Sequence, residues 1–195
     1  MYKRIENSST TYYYSYPSCT AEPTVSSYTV NHYKQNLDGT YPQEPTATES
    51  DEKNVDSQYT PQPKEWVGFE LDGTKKTIII DADPNKNIVN YYYVRQSYKL
   101  TWDVNGGTIT EAGTSAGDVK YETQLTAPTV TKSGYRFTSW HDGETNVNFP
   151  KPMPAKDITF TAQWTRVYTI NLNSVQNGTI STNKTTAAAE EIVTL

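Results

Sequence analysis

Three stretches, Tyr28-Thr29-Val30-Asn31-His32, Tyr98-Lys99-Leu100-Thr101-Trp102 and Tyr168-Thr169-Ile170-Asn171-Leu172, decide how this chain is read. They begin 70 residues apart in a sequence of 195 residues, and self-similarity at a fixed interval marks a tandem repeat. Within each stretch every second residue is apolar or aromatic: Tyr28, Val30 and His32; Tyr98, Leu100, Trp102 and Val104; Tyr168, Ile170 and Leu172. Period two places those side chains on one face of a strand, so each repeat opens with a strand buried on one side.

The repeats also close alike. Val89, Tyr91 and Tyr93 alternate in one closing strand; Ile158, Phe160, Ala162 and Trp164 alternate in the next. The stretch Thr10–Ser15 reads as the same closing strand of an earlier repeat, followed by a Pro/Ser/Thr connector from Pro17 to Ser27. The organisation expected is therefore 1–27, the end of a preceding repeat plus connector; 28–97 and 98–167, two whole repeats; and 168–195, the start of another. Both ends read as cuts through a longer array. The alternative that the opening residues raise, a cytosolic protein without a leader, is set aside for a piece of a secreted one.

Composition agrees with small β modules. The chain has 16 Tyr against four Phe and four Trp, and only 34% hydrophobic residues. Aromatic and β-branched side chains fit a pleated, half-buried surface, and so low an apolar share suits thin modules with a small core each. A net charge of −5 without Lys/Arg clusters argues against nucleic acid as a partner. No stretch approaches the roughly 20 apolar residues of a membrane span. The single cysteine, Cys19, makes neither an internal disulfide nor a cysteine zinc site.

Between the terminal strands, turn signals divide each repeat. Asn36-Leu37-Asp38-Gly39-Thr40 and Asn105-Gly106-Gly107 read as tight hairpins. The polar run Pro42–Gln62 reads as a loop with at most a short helix over Ser50–Val55. Strands are expected over Trp66–Leu71, Lys76–Ile80 and Gly134–Trp140, with a proline-stiffened loop at Pro150–Pro154.

Residues 98–167 resemble the internalin B-repeat family of bacterial surface proteins. The likeness runs through Trp102-Asp103-Val104-Asn105-Gly106-Gly107-Thr108, Leu125-Thr126-Ala127-Pro128, Lys132–Trp140 and Asp157–Thr165. Residues 28–97 are similar to mucin-binding-protein type repeats, through Tyr28–Tyr33, Asn36–Thr40 and Val89–Tyr93. Residues 168–195 resemble a divergent, truncated repeat, through Asn177–Ile180 and Ala187–Leu195. The resemblance implies a mainly β or α+β chain of tandem β-grasp-like (ubiquitin-like) modules, on a secreted or wall-attached bacterial protein. At two positions where this family usually has Gly the chain has Glu122 and Ser139, which implies altered turn or strand-edge geometry there.

Chemistry is sparse. His32 occupies the repeat position of Trp102 and Leu172 and reads as a half-buried structural residue, and His141 sits in a turn before Asp142-Gly143-Glu144. Asp81-Ala82-Asp83-Pro84-Asn85 is a turn more readily than a calcium loop, which needs six to eight oxygen ligands. No nucleophile elbow, zinc-protease or phosphate-loop pattern occurs. The function expected is a non-catalytic stalk or adhesin segment at the bacterial cell surface or wall, without cofactor or metal. The second expectation is a module binding host or matrix glycans or proteins through outward-facing tyrosines, Tyr92 and Tyr13, since Tyr offers a large rigid contact area. A third is a set of accessory repeats beside an enzyme whose catalytic domain lies elsewhere.

Overall fold

The computed structural model describes residues 2–7, 10–15, 24–173 and 176–195. It is nearly all β, as the alternation predicts; among the described residues the helical content is one 3-10 turn, Pro84–Lys86. No helix there is long and apolar enough to cross a membrane. The chain divides into two compact units, Met1–His32 with Ala47–Pro63 and Thr74–Tyr91, and Tyr33–Thr46 with Lys64–Gly73 and Tyr92–Leu195.

The first unit opens with β1 (Tyr2–Asn7) and β2 (Thr10–Ser15), paired antiparallel with Asn7 opposite Thr10. β2 is the strand expected from its sequence, whereas β1 has no apolar alternation to announce it. β3 (Val25–Lys34) follows, with Ser26, Tyr28, Val30 and His32 buried on one face. β4 (Ala47–Asn54) lies antiparallel along it, from Val25 opposite Asn54 to His32 opposite Ala47. The loop or short helix expected over 50–55 is thus a strand. β4 lies at the edge of its sheet with its side chains mostly exposed, so it takes backbone hydrogen bonds from β3 without needing an apolar face. Its charges, Glu49, Asp51, Glu52 and Lys53, discourage further pairing along the outer edge.

β5 (Gln58–Tyr59), β6 (Phe69–Leu71), β7 (Ile78–Ile79) and β8 (Ile88–Arg95) come next. β5 pairs with β7, and the four-stranded sheet has the order β4-β3-β8-β6. Thr29 N donates to Asn87 O at 2.8 Å and Gln35 N to Tyr93 O at 2.9 Å, so residue numbers rise together and β3 and β8 run parallel. Val89 and Tyr91 are buried, in line with the alternation.

Tyrosines can fill this core because their hydroxyls find partners. Tyr91 Oη donates to Pro61 O at 2.7 Å and accepts from Lys76 N at 3.1 Å, and the Tyr28 and Tyr59 hydroxyls bond at 3.0 Å. A buried polar tip without such a partner would cost about 1–3 kcal/mol. Buried Asn87 is likewise satisfied: its amide nitrogen reaches Ser26, Ser27 and Asp81, and its oxygen accepts from Asp81 N at 2.8 Å.

In the second unit β6 pairs antiparallel with the end of β8, Phe69 opposite Arg95 and Leu71 opposite Tyr93. Then come β9 (Ser97–Asp103), β10 (Thr108–Glu111), β11 (Gly117–Lys120), β12 (Gln124–Leu125), β13 (Thr129–Thr131), β14 (Tyr135–His141), β15 (Asn146–Val147), β16 (Lys151–Pro152) and β17 (Ile158–Arg166). The five-stranded sheet has the order β11-β9-β17-β14-β15, with β9 and β17 parallel, Leu100 opposite Ile158. Its order of first, last and flanking strands matches that of the other sheet. Leu100, Phe160 and Ala162 are buried, with Tyr98, Trp102, Val104 and Trp164 packed against them, the inward faces read from the sequence; Leu125, Trp140 and Met153 join the same core.

Two turn readings are corrected. Asn105 and Gly106 adopt positive φ, 47° and 78°, and the turn closes through Gly107 N and Val104 O at 2.9 Å. Yet β10 pairs with β13, not β9, because β11 and β17 already occupy both ladders of β9. The turn at Asn36–Thr40 also closes, Asn36 N to Thr40 O at 2.8 Å, but the partner of β3 begins only at Ala47. Within the proline-punctuated loop, Lys151–Pro152 pairs with β12 over two residues. The β14–β17 ladder shifts register between Phe137 and Ser139. β18 (Tyr168–Thr169) and β19 (Thr186–Ala187) pair antiparallel near the C-terminus.

Phe160 is fully buried among Trp102 and Phe149, at 5.2 and 5.1 Å between ring centres. Phe160→Ala is expected to destabilise the five-stranded module by about 3–5 kcal/mol. Denaturant unfolding followed by tryptophan fluorescence measures it; a loss under 1 kcal/mol would mean the ring is not in the core.

Candidate functional site

The residues singled out in the sequence lie apart. Tyr92 projects from the face of β8 opposite Tyr91 and Tyr93, but it is half-buried rather than open. Its ring stacks on Tyr33 at 5.0 Å and meets the edge of Tyr41 at 4.9 Å, because the chain after β3 folds back carrying Tyr41. Burial, and then the charge of Asp72, push the Tyr41 hydroxyl above its ordinary pKa. Tyr13 falls in β2, and its side chain lies outside the described residues, as does Cys19.

His32 is completely buried rather than half-buried, 3.9 Å from the Glu49 carboxylate. His141 Nδ1 accepts from Gly143 N at 3.1 Å and so closes its own turn. Asp142 beside it accepts from Thr145 N at 2.9 Å and Glu144 N at 3.1 Å, and these bonds hold its pKa down at about 2. Asp81 is bound by Lys86 at 3.0 Å and accepts from Asp83 N at 2.9 Å, while Asp83 caps the 3-10 turn. These carboxylates serve turns. Among the described residues no group of three or more His, Cys, Asp or Glu side chains is placed to hold a metal ion.

What the second unit does assemble is a joint. Gly68, at φ 75°, carries the ring of Tyr121 so closely that a Cβ there would lie 2.2 Å from it. Phe69 meets Tyr121 edge-on at 6.0 Å, and the Arg95 guanidinium covers Phe69 at 4.7 Å. Arg95 also donates to Tyr121 O at 3.0 Å and pairs with the Glu122 carboxylate. Around them Gln96 N donates to Gly68 O at 2.9 Å, Tyr121 N to Gln96 O at 2.9 Å and Lys120 Nζ to Leu37 O at 2.9 Å. Arg95 is 10% exposed. Its bonds to the Gln35 and Tyr121 carbonyls are part-buried, where charge-assisted bonds count for more, whereas the Glu122 carboxylate is 47% exposed.

Glu122 has φ 66°, a left-handed conformation that costs a residue with a Cβ about 1–2 kcal/mol. The altered turn expected here does not follow from this, since a positive φ is the conformation glycine itself favours. The same feature recurs: Asp56 has φ 64° and Glu190 φ 65°. In each case the next amide closes the turn onto the third residue back, Ser57 N to Asn54 O at 3.2 Å, Thr123 N to Lys120 O at 3.1 Å and Glu191 N to Ala188 O at 3.3 Å. The first two acids donate their own amides to a fully buried residue's carbonyl, Asp56 to Ile80 at 2.8 Å and Glu122 to Met153 at 3.0 Å. The sequence alone does not reveal this signature, because only one side-chain class, the carboxylate, is kept at the position.

A second joint follows β17. Glu191 accepts from Arg136 Nη2 and from Lys184 Nζ, both at 2.8 Å, and from Ala188 N at 2.8 Å. Arg136 first, then Lys184, draw its pKa down to about 2. A polar cavity of about 500 Å³ borders this cluster.

The architecture is mainly β, and a left-handed acid recurs in its turns. Residues 98–163 match the Listeria-Bacteroides repeat domain, a repeat family of bacterial surface proteins. No curated protein matches the chain.

Gly68→Ala places a methyl inside the Tyr121 ring and strains the backbone, so it is expected to open the first joint. Loss of amide-exchange protection at Gln96 and Tyr121, with the rest of the five-stranded sheet unchanged, would register this; unchanged protection would contradict it. Glu191 and Asp142 ionise below the ordinary carboxylate range near 4. The stability they contribute is therefore complete above about pH 4 and lost as pH falls towards 2. Glu191→Gln should make C-terminal protection less pH-dependent over that window, read by amide exchange.

Proposed function

We propose that the chain is a non-catalytic spacer on a bacterial extracellular or wall-attached protein. Its modules are 28–97, of mucin-binding-repeat type, and 98–167, of internalin B-repeat type, with the end of a preceding repeat at 1–27 and a partial one at 168–195. The observation that carries this reading is the joint: a ring pressed on glycine beside the nearly buried Arg95 guanidinium resists bending where a Gly/Ser linker would swing. The recurrence of the left-handed acid at Asp56, Glu122 and Glu190 supports a repeated module. The match of 98–163 to a surface-repeat family supports the extracellular setting. Neighbouring repeats are the first partners of each module.

Adhesion to host or matrix glycans or proteins is the second reading. Half-exposed Tyr135 and exposed Tyr168 favour it more than Tyr92, whose ring is stacked within the protein. Accessory repeats beside an enzyme whose catalytic domain lies elsewhere are the third reading.

Spin labels at exposed Gln43 and Thr110, which flank the first joint within the second unit, are expected to give one narrow distance distribution by pulsed electron resonance. It should persist in 1 M salt, which shortens the screening length to about 3 Å. Tyr121→Ala should broaden it. A broad distribution in the unaltered chain would sink the spacer reading.

A further inference from the structure

We propose that Gly134, Tyr135, Arg166 and Tyr168 form a docking platform for a polypeptide partner that presents an aromatic ring followed by a carboxylate at a tight turn. The template is the first joint. Phe69 N donates to Trp66 O at 3.1 Å, and Tyr135 N to Lys132 O at 3.0 Å; Gln96 N donates to Gly68 O, and Val167 N to Gly134 O, both at 2.9 Å. Phe69 stands opposite Arg95, and Tyr135 opposite Arg166. The two glycines share φ, 75° and 76°. The backbone surface that receives Tyr121 and Glu122 is therefore built twice.

Only the first is covered. Where the first joint has Tyr121 before the left-handed Glu122, the second has Ala189 before the left-handed Glu190. A Cβ on Gly134 would meet nothing within 4 Å. Tyr135 is 38% exposed and Tyr168 53% exposed. Arg95 is spent on Glu122, whereas Arg166 is exposed and lies over the Tyr168 ring at 5.2 Å. Lys132 Nζ sits 4.6 Å over Tyr135 and adds positive charge. Glu191, the nearby acid, is engaged by Arg136 and Lys184 instead.

The platform thus keeps the glycine, the ring and the guanidinium, and lacks the Tyr–Glu pair that covers its counterpart. A ring over Gly134 would bury Tyr135 edge-on, and a carboxylate would reach Arg166 with charge-assisted bonds. The partner that fits is a turn of the Tyr121–Glu122 kind from another chain.

The inference rests on the tandem-module reading. The test uses the full chain, labelled with nitrogen-15 and titrated with the blocked peptide acetyl-Val-Lys-Tyr-Glu-Thr-amide. Saturable shifts are expected at Gly134, Tyr135, Arg166 and Tyr168. They should weaken about tenfold for Arg166→Gln, the loss of one charge-assisted contact, and vanish for the peptide with Ala in place of Tyr. Ala189→Tyr should supply the ring within the chain, protect the Val167 amide from exchange and abolish peptide shifts. No saturable shift at these residues, or shifts with methyl β-glucuronide and none with the peptide, would overturn the platform. Should Tyr121→Ala also leave the Gly68 and Gln96 amides unchanged, the tandem-module reading fails with it; a loosened first joint would leave that reading standing.

Discussion

The parallel pairing of a first and a last strand is the constraint on which each sheet depends. Two parallel neighbours cannot be joined by a tight turn, so everything between them must form a crossover. In the five-stranded sheet that crossover runs from Val104 to Asp157 and carries seven further strands, most only two to four residues long. The central pair is buried on one face through Leu100, Ile158, Phe160 and Ala162. The flanking strands add ladder bonds and cover. Because the centre is fixed by side chains of period two, the crossover is free to be polar, which is how so hydrophilic a chain remains ordered.

Tyrosine extends that economy in the four-stranded sheet. A phenylalanine at 91 would bury a similar area, but Lys76 N and Pro61 O would then lose the hydroxyl that joins them. The loop segments 60–64 and 75–77 have little apolar surface of their own. Hydroxyls of Tyr91 and Tyr93, the latter accepting from Lys64 N at 2.8 Å, tie them to the sheet from beneath. Backbone groups that would otherwise be orphaned become the walls of the core.

How much of this could be read from residues alone follows the same division. The strands facing a core were legible: Tyr28, Val30, Val89, Tyr91, Leu100, Phe160 and Ala162 each fall on the buried side that alternation assigns. The edge strand β4 was not, because Ala47–Asn54 draws its stability from a neighbour's backbone and leaves no periodicity in its own side chains. Pairing partners were also hidden. Asn105-Gly106 dictates a turn, but which ladder β10 joins depends on edges already taken around β9. The joint was legible only as an oddity, Glu122 in a position suited to glycine; its meaning needed Arg95, 27 residues away, and Gly68, 53 residues before Tyr121. Tyr92 was assigned to the right face, but the covering ring of Tyr41 comes from a loop without a pattern.

One further property comes from the direction of the central strands. Because β3 and β8 run side by side in the same sense, the chain enters at one end of their ladder and leaves at the other. Tension transmitted along the polypeptide, as by flow past a surface, therefore slides the two strands against each other. The inter-strand bonds share that load simultaneously instead of parting one by one as in a hairpin pulled open at its ends. β9 and β17 present the same arrangement, so consecutive sheets in this chain meet a pull in shear.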